Sequence, residues 1–192
     1  LWFRHCCARL SVAANATDGP HMWPLYVSEE NVVRFEYWVQ RVNDGQRAVP
    51  NRPPPEVRWE VLFAGLFTLC ARLPHPLLTL ELHDYFIAAA HPVLWTSTRR
   101  RLHFLGGLLN VLPLYCREAL RRLLKMIVRV APTADDRVFM AALWGPLLLS
   151  SPACHQVGLE KTSAMAILLL MTENYDMLFK VCSDGSVGTV RG

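Results

Sequence analysis

"LPHPLLTLELHDYF", residues 73–86, is the stretch on which the fold turns. It follows the unbroken apolar run VLFAGLFTLCA at 61–71 and sets Pro74 and Pro76 one residue apart. Neither proline suits a helix interior, because each lacks an N–H and pushes the residue before it out of the α region. The sequence therefore predicts an apolar helix that stops hard, turns a rigid corner and restarts as ELHDYF. Upstream, the run belongs to a helix expected over 56–72, apolar after Glu60 and so buried on most sides. Downstream, a second helix is expected over about 79–90, ended by His91-Pro92.

The flanking segments read as helices too. In SEENVVRFEYWVQRV, 28–42, Ser28 is a good N-cap and Glu29 and Glu30 suit the positive first turn. Val32, Phe35, Val39 and Val42 recur there at helical spacing. A loop with four prolines, NDGQRAVPNRPPP, follows at 43–55. Beyond the corner come a helix at 98–111 with Gly106-Gly107 inside it, and then Pro113, which starts a helix at 114–131. That helix is the most periodic: Cys116, Ala119, Leu120, Leu123, Ile127 and Val130 form its inner stripe. PTADDR supplies a loop with Asp135 or Asp136 as a cap, before an apolar helix at 137–150 that ends in GPLLLSS. A turn-rich SPACHQVG leads to a last helix at about 159–181. Residues 1–14 are expected to be partly helical, and the tail SDGSVGTVRG to be disordered. No strand alternation and no internal repeat stand out. The expected fold is all-α, an irregular bundle of seven or eight helices. Its expected division is an extension and Pro-rich loop at 1–55, a helical core at 56–182 and a tail at 183–192.

Composition removes several function classes. The chain has 192 residues, 52% of them hydrophobic, enough for a sizeable core. A net charge of +4 with no aromatics interleaved among the basic residues argues against nucleic acid. No apolar run reaches the roughly 18 residues needed to span a bilayer. None of the six cysteines forms a CxxC pair, which fits a reduced, intracellular setting with Cys70 and Cys116 as small buried hydrophobes. HCC at 5–7 has no second half-site, and Pro76 and Pro92 keep His75, His83 and His91 from sharing one continuous helix, so no metal is expected. There is no phosphate-binding glycine loop and no nucleophile elbow, so no cofactor is expected either. His103, Cys116 and Asp135 are scattered.

One charged feature stands out. Arg117, Arg121, Lys125 and Arg129 recur every four residues with only Glu118 to answer them. Like charges at that spacing cost a few tenths of a kcal/mol each. The stripe reads either as a solvated face or as a docking surface for an acidic partner or membrane headgroups, to which Arg99, Arg100 and Arg101 would add.

Four motifs in order carry a family resemblance. LPHPLLTLELHDYF resembles the "LPEPL" corner of Rho GTPase-activating (RhoGAP) domains, and LNVLPLYCREALRRLLKMIVRVA, about forty residues on, resembles their second signature. FMAALWGPLLL at 139–149 is similar to the "NLAVVFGPNLL" helix with its Gly-Pro exit, and AILLLMTENYDMLF at 166–179 to the closing "LIENYDEIF". The resemblance covers about 56–181, and the corner and leucine-rich helix are most similar to the divergent RhoGAP-like domains of DEP-domain proteins. It implies an all-α bundle that speeds GTP hydrolysis by a bound Rho, Rac or Cdc42 protein, supplying an arginine finger in trans.

The polar positions of that machinery do not carry over. The finger belongs in a "GxFRxSG" loop some forty residues before the corner, and nothing matches it. Arg34 is nearest by distance but lies in a helical pattern; Arg47, in DGQRAV, lies in a loop too near the corner. Against "KxxLRxLPxPL", the lysine position is Phe67 and the arginine position is Ala71, with Arg72 one residue off. The two asparagine positions of the third motif are Phe139 and Leu147. The resemblance thus predicts a degenerate domain that binds a Rho-family GTPase or another signalling protein without finger catalysis. Its expected contact residues are Phe67, Ala71, Arg72, Arg117, Arg121, Lys125 and Arg129. The alternatives are an active GTPase activator with a displaced finger, a basic helical module on anionic membrane, and a structural interaction domain. The expected location is cytoplasmic, with a peripheral membrane association allowed.

Overall fold

The computed structural model of the chain describes residues 28–43, 58–149 and 159–180, together with Cys7 and Leu10. All regular structure among them is helical, as expected. The helices are α1 (Glu29–Asn43), α2 (Trp59–Ala71), α3 (His83–Ala90), α4 (Thr98–Val111), α5 (Leu114–Val130), α6 (Ala134–Leu149), α7 (Leu159–Glu173) and α8 (Tyr175–Lys180), with a 3₁₀ turn at Pro92–Leu94. Of the expected partial helix at 1–14, Cys7 and Leu10 are helical and buried. The Pro-rich loop from 44 onward and the tail 183–192 lie outside the described residues.

α1 begins where the sequence places it: Ser28 Oγ accepts a hydrogen bond from the Asn31 N–H at 3.3 Å. The helix packs on α2, with Phe35 buried against Gly65. α2 buries Val61 to Leu66 almost completely, which its near-continuous apolar run requires.

The proline corner is a pinned turn. The Arg72 N–H still bonds back to Thr68 O at 3.0 Å, after which the two prolines remove the donors that would continue the helix. Leu77 and Leu78 plunge into the core, and the Leu78 N–H donates to Leu148 O at 3.1 Å. That bond satisfies one of the last four carbonyls of α6, which have no partner within their own helix. Thr79 takes φ 57°, a left-handed conformation that costs a β-branched residue about 1–2 kcal/mol. This is why the next helix starts at His83 rather than near 79: residues 79–82 are used in turns, with Thr79 N bonded to Pro76 O and His83 N to Leu80 O.

Two further boundaries differ from expectation. α6 starts at Ala134 because Thr133 caps it, its Oγ1 accepting from Asp136 N at 3.1 Å while Asp136 Oδ2 accepts from Thr133 N at 3.4 Å. Thr133 is therefore the cap, and Asp136 completes a reciprocal pair. The helix then runs through Gly145-Pro146 to Leu149, within one residue of the expected end at 150. Pro146 frees only the carbonyl of Ala142, and Ala142 is solvent-exposed, so water can serve it. At the other end of the bundle, the helix expected over 159–181 breaks at Asn174 into α7 and α8, with the Asn174 side-chain amide donating to Leu170 O at 2.9 Å.

α7 is the central element, lying against α6, α3 and α5. Around it Trp144, Phe63, Phe86, Leu105, Leu120 and Leu123 are fully buried. The expected inner stripe of α5 is buried except for Ala119, which is half-buried, and Leu124 and Met126 join it. The amphipathic pattern of α5 thus places its basic residues along one edge of the bundle.

Candidate functional site

The α2 face is where the resemblance puts a lysine and an arginine. Phe67, in the lysine position, is half-buried, with its ring centroid 5.4 Å from that of Trp144 at 68° and 6.4 Å from that of Phe63. Phe63 and Trp144 meet edge to face at 5.7 Å and 86°. Such pairs contribute about 0.5–1.5 kcal/mol beyond the area they bury. Phe67 is thus built into the core rather than displayed beside it, and Trp144 Nε1 is buried with no hydrogen-bond partner among the described residues. One turn on, Ala71 is exposed at the end of α2. Arg72 is exposed and ion-paired with Glu36 of α1, so it ties two helices together. Phe139 and Leu147 of α6 are half-buried against the core.

Of the two arginines nearest to a finger in the sequence, Arg34 alone falls among the described residues. Arg34 lies inside α1 and pairs with Glu30 one turn back at 2.5 Å. Arg47 lies outside the described residues.

The basic stripe of α5 is split in two. Arg121 is half-buried and grips Glu118 with Nη2 at 2.9 Å and Nε at 3.1 Å, with the Tyr175 hydroxyl beside it. That hydrogen bond, with the charges of Arg121, Arg122 and Arg117 behind it, holds the Glu118 carboxyl below its ordinary range. Burial raises the Tyr175 hydroxyl. Arg117 donates to Asn110 Oδ1 at 3.3 Å. Lys125 and Arg129 are exposed, and among the described residues no carboxylate pairs with either. The structure therefore leaves two of the four stripe residues uncommitted.

A groove that the sequence did not disclose lies between the corner and the start of α5. It encloses about 690 Å³ and is walled by Leu69, Leu73, Pro76, Val111 and Tyr115, with the thiols of Cys70 and Cys116 in its lining. Burial pushes the Cys70 thiol up to about 12 and raises that of Cys116, so neither is a thiolate near neutral pH. Neither thiol is therefore poised as a nucleophile there. Among the described residues no cluster of histidine, cysteine, aspartate or glutamate could hold a metal ion, and no helix is long and apolar enough to cross a membrane.

No family model matches the chain, and no curated protein matches it. Solved structures do. The BH domain of GRAF, the GTPase regulator associated with focal adhesion kinase, superimposes with a TM-score of 0.71 over 93% of this chain and 95% of that one, at 17% identity. Human Rho GTPase-activating protein 15 superimposes with a TM-score of 0.68 over 91% of this chain and 82% of that one, at 18% identity. The fold is RhoGAP-like.

Within this RhoGAP-like bundle the residues singled out in sequence fall into two groups. Phe67, Ala71 and Arg72 share the end of α2, beside α1 and α6, whereas Arg117, Arg121, Lys125 and Arg129 follow α5 toward α8. The structure does not bring Arg34 into a loop. Sequence reasoning missed Glu36 as the partner of Arg72 and Tyr175 as the neighbour of Arg121, because both lie on other helices. It also missed the groove, whose walls come from residues 69–82 and 111–119. Only the rigid prolines at 74, 76 and 113 hinted that the two walls would stand apart.

Proposed function

We propose that this RhoGAP-like chain binds a Rho-family small GTPase or another signalling protein and does not supply an arginine finger to it. One observation carries the reading: the position that should hold a solvated lysine is Phe67, and its ring is locked between Phe63 and Trp144. A lysine there would have to leave that packing, so the loss is built into the core and is not a surface change. The finger itself is worth about 10³ to 10⁵ in rate for GTPases, or roughly 4–7 kcal/mol at about 1.4 kcal/mol per tenfold. Arg34 would have to break its pair with Glu30 and unwind α1 to serve. Support for a GTPase or signalling partner comes from the likeness to the GRAF domain and to Rho GTPase-activating protein 15. The buried free thiols Cys70 and Cys116 fit a reducing, cytoplasmic setting.

Docking is assigned to the α2 end, where exposed Ala71 and Arg72 stand beside α1. A titration against Rho, Rac and Cdc42 proteins loaded with a non-hydrolysable GTP analogue tests it. Ala71→Glu is expected to weaken binding at least about tenfold, since an unpaired carboxylate would be desolvated at the contact, while thermal stability stays unchanged. Wild-type affinity in that variant would remove the α2 end from the interface. No binding to any of the three would remove the GTPase as partner.

A further inference from the structure

The connection from α3 to α4 carries a different surface, and it does not depend on the GTPase reading. Its 3₁₀ turn, Pro92–Leu94, holds Val93 at 93% exposure and Leu94 at 64%. Single exposed aliphatic residues are common and call for no explanation. Here two adjacent ones sit at a tip that is held rigidly outward. The Leu94 N–H bonds to His91 O at 3.2 Å and the Trp95 N–H to Pro92 O at 3.1 Å. Trp95 Nε1 donates to Ala88 O at 3.1 Å, and its ring packs on Phe104 with centroids 4.9 Å apart. Arg101 clamps the base of the turn, its Nε donating to Ala89 O at 2.6 Å and its Nη2 to Ala90 O at 2.7 Å. Val93 and Leu94 therefore cannot fold back onto the core without breaking this frame.

The charges beside the tip point the same way. Arg99 and Arg100 are exposed in the first turn of α4, and neither has a carboxylate partner among the described residues. The first turn holds no acidic residue, although the positive end of a helix dipole favours acids and disfavours arginines. Arg100 is also steadied by a 3.4 Å hydrogen bond from its Nη1 to Thr96 Oγ1. Ser97 Oγ caps the helix end, accepting from the Arg100 N–H at 3.2 Å, but the two guanidinium groups, with no carboxylate partner among the described residues, still make a positive field within a few residues of an apolar tip.

We propose that this turn is a membrane contact: Val93 and Leu94 enter the acyl boundary of an anionic leaflet while Arg99 and Arg100 hold its headgroups. A bilayer suits the pair better than an acidic protein does. A protruding apolar tip needs a matching pit on a protein partner but only a deformable interface in lipid, and each arginine near an anionic surface contributes about fivefold in affinity. The surface is separate from the α5 stripe, so the two can be told apart by mutation.

Co-sedimentation of the whole chain with phosphatidylcholine vesicles, with and without phosphatidylserine, tests the proposal. Binding is expected only with phosphatidylserine and is expected to fall as salt rises. Arg99→Glu with Arg100→Glu should weaken it at least about thirtyfold, and Val93→Ser with Leu94→Ser at least about tenfold. Lys125→Glu with Arg129→Glu should leave it within about twofold, because those residues are not at the tip. All six residues are exposed, so the circular dichroism spectrum checks that each variant is folded. No binding to phosphatidylserine vesicles at low salt would overturn the proposal and leave an acidic protein as the better occupant. Binding that survives the Arg99 and Arg100 changes, or is lost on the Lys125 and Arg129 changes, would overturn it as well.

Discussion

Gly145→Ala is expected to destabilise the protein by about 2–3 kcal/mol, although alanine is the better helix former by about 1 kcal/mol. The glycine lies in α6 where that helix crosses α7. A Cβ there would stand 2.8 Å from the carbonyl carbon and oxygen of Ala164 and 2.9 Å from the Met165 nitrogen. These are backbone atoms in the middle of a helix, so no rotamer change relieves the overlap. α6 and α7 would have to separate, opening gaps around Trp144, Ile167 and Leu168, all buried to within 1% exposure. Overpacking costs about 1–3 kcal/mol and occasionally more; a backbone clash that no rotamer relieves puts it at about 3–4 kcal/mol, of which about 2–3 kcal/mol remains after the gain in propensity. In a chain of this size the expected fall in Tm is about 5–10 °C, read by circular dichroism. A variant as stable as the parent would mean that the two helices do not approach so closely.

Gly65→Ala is expected to free α1 from the bundle. The added Cβ would lie 2.0 Å from Phe35 Cδ2 and 2.3 Å from its Cγ, inside the ring itself. Phe35 is 3% exposed, so a displaced ring loses most of its burial, worth about 1.5–3 kcal/mol. The Arg72–Glu36 pair sits on the same two helices and would be lost with it, although an exposed pair adds only about 0–1 kcal/mol. A double-mutant cycle makes the assignment specific. Gly65→Ala should cost about 1.5–3 kcal/mol and Phe35→Ala about 3–5 kcal/mol, while the double variant should cost no more than Phe35→Ala alone, because the clash disappears with the ring. Additive losses would show that Gly65 is needed for some reason other than the Phe35 contact.

Both glycines show where the sequence could and could not be read. The apolar runs at 61–71 and 114–131 dictate buried helices through spacing alone, and Pro74 and Pro76 dictate the stop between them, so the helical order was legible. A glycine inside a helical pattern says only that something comes close; the partner, Phe35 or the α7 backbone, is fixed by tertiary packing. The same limit applied to boundaries. Thr133 outcompeted Asp135 and Asp136 as the α6 cap because the reciprocal bond to Asp136 satisfies both ends, which spacing cannot rank. In the site, the identities of Phe67 and Ala71 were plain, but the aromatic packing of Phe67 depends on Trp144, 77 residues away (144 − 67). The α5 stripe looked uniform in sequence, yet Arg121 is committed to Glu118 and Tyr175 while Lys125 and Arg129 are not.

Single-turnover GTP hydrolysis by Rho, Rac and Cdc42 proteins, at saturating concentrations of this chain, tests the proposal that a RhoGAP-like fold is kept here without a finger. Rates within a few-fold of the intrinsic ones are expected, because neither Phe67 nor Ala71 can stabilise transition-state charge and Arg34 is held in α1. Acceleration of about a hundredfold or more would contradict it, and loss of that acceleration on Arg34→Ala or Arg47→Ala would identify a displaced finger.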